Sequence, residues 1–231
     1  MKLNDLTATE ASKLLASKEI SSVELTQACL DRIAERNDDV GAFVHIDPEF
    51  SLRQAAIADA SESKSKLHGV PFGVKDVIDT KDFRTERGTV IHEGRQPLED
   101  AKCVKLMREA GAVLLGKLVT TEYAMFTANE TRHPLDLNRT AGGSSSGTGA
   151  AVADNMAPIA FGNQTAGSLI RPAAFCGVYG LKPSHGTTDG TGILPLQLYF
   201  DTLGYMARDV EDLKKLPPRM DELDENYKSS K

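Results

Sequence analysis

Three features of the chain have residue types that could make and break an acyl bond: a serine at 168, a lysine at 75, and a glycine- and serine-rich run at 141–149. Ser168 follows Thr165-Ala166-Gly167 in "GNQTAGSLIRPAAF". Small residues ahead of a serine let several backbone N–H groups converge beside its hydroxyl, which is what an oxyanion hole requires. A serine serving only the fold reads the same way. A nucleophilic hydroxyl also needs a base. Lys75 lies in "GVPFGVKDVI", at the end of an apolar stretch. Lysine is seldom buried, and burial disfavours its charged form, so a neutral amine there could accept a proton. The structural alternative is an ion pair with Asp76 or Asp79. A second candidate base is His185 in "KPSHG".

The run "AGGSSSGTGAA" (141–151) has a linker's composition, yet "VADNMAPIAFGNQTAGSLIRPAAFCG" follows at once and reads as core. Glycine either loosens a chain or lets backbone come close to a neighbour. The pattern leaves open a linker, a structural turn and a functional turn. The small residues of "GAAVAD" argue for a tight loop feeding a closely packed helix. A phosphate loop is disfavoured, because no Gly-Lys-Ser/Thr follows.

These residues need elements to hold them. Thr7 with Glu10 and Ser21 with Glu24 match capping boxes ahead of two helices. In the second, Leu25, Ala28, Cys29 and Ile33 recur at helical spacing. "GAFVHI" (41–46) reads as a strand and "SLRQAAIADASESKS" as a helix. "GVPFGVKDVIDT" reads as a buried strand ending in a polar turn. Asp100 is expected to cap "AKCVKLMREA", whose Val104, Met107 and Ala110 share a face, with Gly111 as the stop and "AVLLG" as the next strand. "MAPIAFG" and "GVYGLKPS" add strands. Strands alternating with helices predict an α/β fold. Residues 1–215 are expected to form one domain and 216–231 a charged, disordered tail.

The chain has 231 residues, 40% of them hydrophobic and 26% charged, with a net charge of -6. That balance argues against DNA binding or an anionic-membrane surface. No apolar stretch reaches the ~18 residues of a membrane span. The three cysteines, Cys29, Cys103 and Cys176, are widely spaced, and no His or Cys pair has metal-ligand spacing. Buried thiols in a cytoplasmic setting, with no metal or cofactor, are expected.

Taken together, "GVPFGVKDVIDT", "RTAGGSSSGTGAAVA" and "FGNQTAGSLIRPAAFCGVYGLKPSHG" resemble the amidase signature family, and the likeness runs from about Leu6 to Leu213. It includes "GAFVHID", "CVKLMREAGAVLLGKLVTTEYA" and "DTLGYMARDVEDL". The resemblance implies a mixed β-sheet covered by helices and a Ser–Ser–Lys triad. The nucleophile would be Ser168, the bridging serine Ser144 in a cis peptide bond, and the base Lys75. It further implies an oxyanion hole at Thr165, Ala166, Gly167 and Ser168, with Gly143, Ser145 and Arg171 near the substrate. The implied activity is hydrolysis of a carboxylic acid amide through an acyl-enzyme. Two alternatives are the amidase component of a glutamine-dependent aminoacyl-tRNA amidotransferase and a remnant without catalysis.

The chain departs from the family pattern in places. Ala166 stands where a glycine is common, Gln164 where an aspartate is, and Ser146 where a glycine is. The arginine after the nucleophile comes third, as Arg171, with Ile170 before it. This arrangement is similar to a malonamidase-like subgroup, in which the arginine grips a substrate carboxylate; a structural salt bridge is the other reading of Arg171. The family's domains are also about twice as long. That difference leads to the expectation of an incomplete domain, with self-association or a partner chain completing the fold.

Overall fold

A computed structural model of the protein describes residues 2–216. Chain order gives α1 (Ala8–Ala16), α2 (Ser22–Val40), β1 (Phe43–Ile46), α3 (Pro48–Ala60), β2 (Pro71–Lys75), α4 (Lys102–Glu109), β3 (Val113–Leu118), β4 (Arg132–His133), β5 (Asp136–Thr140), α5 (Ser146–Ala153), β6 (Ile159–Gln164), α6 (Ile170–Cys176), β7 (Tyr179–Leu181), β8 (Thr202–Ala207) and α7 (Val210–Leu213). Six strands form one sheet in the order β1-β3-β2-β6-β8-β7. Its centre, β3-β2-β6, is parallel, and β1, β8 and β7 join antiparallel. β4 and β5 pair as a separate two-stranded ribbon.

Both capping boxes form. Thr7 accepts from the Glu10 N–H and Ser21 from the Glu24 N–H, and each glutamate reaches back to the cap residue. Asp100, by contrast, does not cap α4. The N-cap position falls on Ala101, which makes no side-chain cap bond. The Asp100 carboxylate instead accepts from the Lys81 N–H at 2.9 Å and pairs with Arg108 at 3.0 Å. It ties the loop after β2 to the far end of α4, and a cationic partner outweighs a neutral cap.

Side-chain alternation along the central strands builds two cores. Phe72, Val74, Ile159, Phe161, Leu203 and Tyr205 face Val104 and Met107 of α4 and Leu213 of α7. Phe161 packs edge-on against both Phe72 and Tyr205, with ring centroids 5.8 and 5.7 Å apart. Ala160 and Met206 face the other way, toward Ile33 of α2, Ala150 to Val152 of α5 and Ala173 of α6. All three cysteines are buried free thiols. The β8 strand was not apparent from the sequence; its six residues "TLGYMA" are all buried between β6 and β7.

The glycine-rich run is no linker. α5 is buried along Ser146–Val152. A Cβ on Gly147 would sit 2.5 Å from the Val119 nitrogen and closer still to the Ala42 carbonyl oxygen. The Gly147 N–H itself donates to the Val119 carbonyl at 3.0 Å. A side chain there must push backbone aside. Gly147→Ala is expected to destabilise the fold by about 3 kcal/mol, read as a lower urea midpoint. An unchanged midpoint would mean the helix has room to shift.

Leu216, where the tail was expected to begin, is buried, and its carbonyl accepts from the Tyr205 hydroxyl at 3.0 Å. The rest of that expected tail, 217–231, lies outside the described residues. Among the described residues β7 pairs only with β8, leaving its other edge open. Phe175, Tyr179, Tyr199 and Phe200 are exposed. No helix among the described residues is long and apolar enough to cross a membrane.

Candidate active site

The strands β2 and β6 run parallel and side by side, so Lys75 and Gln164 end at the same edge of the sheet. Open α/β sheets present their functional loops at the carboxyl ends of such strands. Three segments meet there: the end of β2, the loop entering α5, and the loop leaving β6.

Lys75 is fully buried. Its Nζ lies 2.6 Å from Ser144 Oγ and 2.8 Å from Asn163 Oδ1. Neither nearby aspartate serves as its partner. Asp76 pairs with Lys117 at 3.3 Å, and Asp79 with Arg95 at 2.6 Å. Among the described residues Lys75 has no ion pair. Burial therefore dominates and holds its pKa well below 10.5, with Asp201 pulling in the opposite sense. The Asn163 oxygen can only accept, so it takes an N–H from the amine. In the neutral form the amine's lone pair is left for the Ser144 hydroxyl.

Lys117 is the second buried lysine. It keeps its carboxylate partner, and burial brings its pKa down to about 8. It also donates to the Ile78 carbonyl and to Thr85. Among the described residues two buried lysines thus sit on neighbouring strands, and the one without an ion pair touches a serine.

Ser144 is 1% exposed, and the Gly143–Ser144 peptide bond is cis. The Ser144 carbonyl accepts from the Thr121 N–H at 3.2 Å. Ser145 is buried against β6, with its hydroxyl 3.3 Å from the Asn163 carbonyl. The Ser145 N–H donates to the Ser168 carbonyl at 3.0 Å, which locks the two serine loops backbone to backbone. Ser168 itself is half-buried.

The loop 164–170 is held from both ends. Gln164 Oε1 accepts from the N–H groups of both Leu169 and Ile170 at 2.9 Å. That is what the glutamine does in place of an aspartate. Thr165 Oγ1 donates to Asp201. Among the described residues, the N–H groups of Ala166, Gly167 and Ser168 have no acceptor. Those unpaired donors, next to a half-buried serine, form a place where an oxyanion could be received.

Arg171 makes no salt bridge among the described residues. Its guanidinium donates to the Gly143 carbonyl at 3.2 Å and is exposed. It lies over Gly167, where an added Cβ would be 2.9 Å from its Nη2. The arginine therefore spans the two serine loops and keeps donors free. Among the described residues His185 is bonded to neither serine; its Nε2 is bonded to the Leu198 carbonyl at 2.9 Å. Sequence reasoning missed Asn163, Asp201 and Thr121. Asn163 lay within a motif already singled out. Asp201 and Thr121 are brought in by contacts 36 and 23 residues away, which no local pattern announces.

Comparison with known proteins gives the same frame. The family model described as Amidase matches residues 24–231. The A subunit of the glutamyl-tRNA(Gln) amidotransferase of Roseiflexus castenholzii is 43% identical over 219 residues, covering 91% of this chain and 45% of that protein. The native peptide amidase of Stenotrophomonas maltophilia superposes with a TM-score of 0.86 at 35% identity, covering 90% of this chain and 46% of that one. A structure described as a vestigial protein complex revealing the origins of an s-triazine catabolic enzyme superposes at 0.87 with 33% identity, covering 90% and 48%. The chain spans about half the length of the relatives it matches, and it belongs to the amidase family.

Proposed function

We propose that the chain carries the acyl-transfer machinery of an amidase, with Ser168 as nucleophile, Ser144 as proton relay and Lys75 as base. The observation that carries this reading is a buried lysine, without an ion pair among the described residues, 2.6 Å from the Ser144 hydroxyl. Neutral Lys75 draws a proton from Ser144, which takes one from Ser168. The Ser168 oxygen attacks the amide carbonyl. The oxyanion is received by the N–H groups of Ala166, Gly167 and Ser168, with Thr165 at the start of the loop; one such donor is typically worth ~10²–10³ in rate. The C–N bond breaks, and the leaving ammonia or amine takes the proton returned through Ser144. Water then hydrolyses the ester, releasing the acid and freeing Ser168. Gly143 and Ser145 shape the wall, and Arg171 offers a bidentate seat to a substrate carboxylate.

Two substrates compete. Arg171, third after Ser168 and without a salt bridge among the described residues, favours a small acidic amide. The 39–43% identity to the amidotransferase relatives favours the glutamine side-chain amide, with ammonia passed to a partner. The relatives give the second reading the stronger support. The open β7 edge and exposed Phe175 and Tyr179 support a partner chain, or self-association, supplying what the longer relatives carry. Ammonia release should be measured for the purified chain on glutamine and on malonamate, with and without Arg171→Ala. Release from either, weakened at least tenfold for carboxylate-bearing amides by Arg171→Ala, is expected. Equal release from the Ser168→Ala chain would overturn the reading.

A further inference from the structure

Beside the site lies a cavity of about 240 Å³. Asn163 and Asp201 line it together with His185, Thr188, Ile193 and Leu198. Asn163 is the amide that accepts from Lys75. Asp201 is half-buried at the entry to β8 and takes three hydrogen bonds at once: from the Thr165 hydroxyl and from the N–H groups of Leu196 at 2.6 Å and Gln197 at 2.7 Å. Three donors on one carboxylate hold it in one place. It therefore joins the loop ahead of β8 to the first residue of the nucleophile loop.

We propose that Asp201 is a positioning residue for this site: it fixes Thr165 at the start of the nucleophile loop and supplies negative charge to the surroundings of Lys75. The proposal rests on the acyl-transfer reading only for its consequence in catalysis. The charge argument follows from the other groups around Lys75. Ser144, from the α5 loop, and Asn163, from β6, are neutral. On β2 and β3, Asp76 and Lys117 neutralise each other at 3.3 Å. The Arg171 guanidinium, from α6, donates one bond to the neutral Gly143 carbonyl and remains a cation, and His185 lines the cavity with its ring bonded to Leu198. That leaves Asp201 as the carboxylate that offsets part of the burial cost of the Lys75 ammonium. Too strong an offset would leave the amine protonated; none would leave it a weaker base than the relay needs.

The two roles separate in two variants. Asp201→Asn removes the charge and keeps the shape. Thr165→Val removes the hydroxyl and keeps the charge. The proton-binding midpoint of Lys75 is followed by NMR on lysine-labelled chain, with its signal assigned through Lys75→Met. Acylation of Ser168 by a fluorophosphonate is followed on the same samples. Asp201→Asn is expected to move the Lys75 midpoint to lower pH, and the acid limb of the acylation profile with it. Thr165→Val is expected to leave the midpoint in place and slow acylation about tenfold or more, as loop misplacement does. Should Asp201→Asn fail to fold, Asp201→Ser serves as the neutral variant. A midpoint that stays put in the neutral variant overturns the charge role, and unchanged acylation in Thr165→Val overturns the positioning role. A parental chain that takes no adduct overturns the acyl-enzyme reading, while the midpoint comparison still decides the part played by Asp201.

Discussion

Lys75→Ala is expected to slow acylation of Ser168 by ~10²-fold or more, the loss that follows removal of a positioned general base. The side chain reaches Ser144 from the buried end of β2, and among the described residues no other titratable group is bonded to that hydroxyl. The pH dependence follows from the direction of the shift. Burial places the folded-state pKa well below 10.5. The neutral, proton-accepting form therefore gains population as pH rises through that lowered value, and the rate should level off before pH 10.5. Stability moves with the same group. Between the two pKa values the unfolded chain binds a proton that the folded chain does not, so stability rises with pH across that window and is lost as pH falls through it. A Lys75→Met chain should lack this dependence while losing acylation. Stopped-flow labelling across pH, with urea titrations at the same pH values, checks both. Near-parental acylation by Lys75→Ala at neutral pH would show that another base is at work.

Ser168→Ala is expected to lower amide hydrolysis by ~10⁴-fold or more, because removing the nucleophile removes the covalent route and not merely its efficiency. The fold should barely notice. The bond that locks Ser168 to the α5 loop is made by its carbonyl to the Ser145 N–H, and alanine keeps that carbonyl. A stability change within ~0.5 kcal/mol is expected for a half-buried hydroxyl of this kind. Ammonia release and a thermal melt on one preparation separate the two effects. A large fall in melting temperature would mean that the hydroxyl serves the fold rather than the reaction.

What the sequence disclosed, and what it hid, divides along contact distance. Helices with capping boxes were readable, because Thr7 with Glu10 and Ser21 with Glu24 are local pairs. The apolar run ending at Lys75 announced a buried strand, and the small residues of "GTGAAVA" announced a packed helix. Asp100 looked like a cap because spacing alone cannot reveal that Arg108 and Lys81 compete for it. The β8 strand was missed because Gly204 interrupts a short run, and its place is decided by β6 and β7 on either side. The roles of Asn163, Thr121 and Asp201 were hidden for the same reason. Each matters through a partner remote in sequence, on a different element. The apolar setting of Lys75 marked it as a candidate base and the family resemblance drew attention to Ser144; their contact exists only once β2 and the α5 loop are folded together.

The central claim, that this chain forms an acyl-enzyme type adduct at Ser168 with Lys75 as base, is tested most directly by one measurement. The folded chain is treated with a fluorophosphonate, its intact mass is recorded, and the modified peptide is mapped. One adduct per chain is expected, located on Ser168 and lost in Lys75→Ala. An adduct on any other residue, or labelling of Ser168 that persists undiminished without Lys75, would contradict the account.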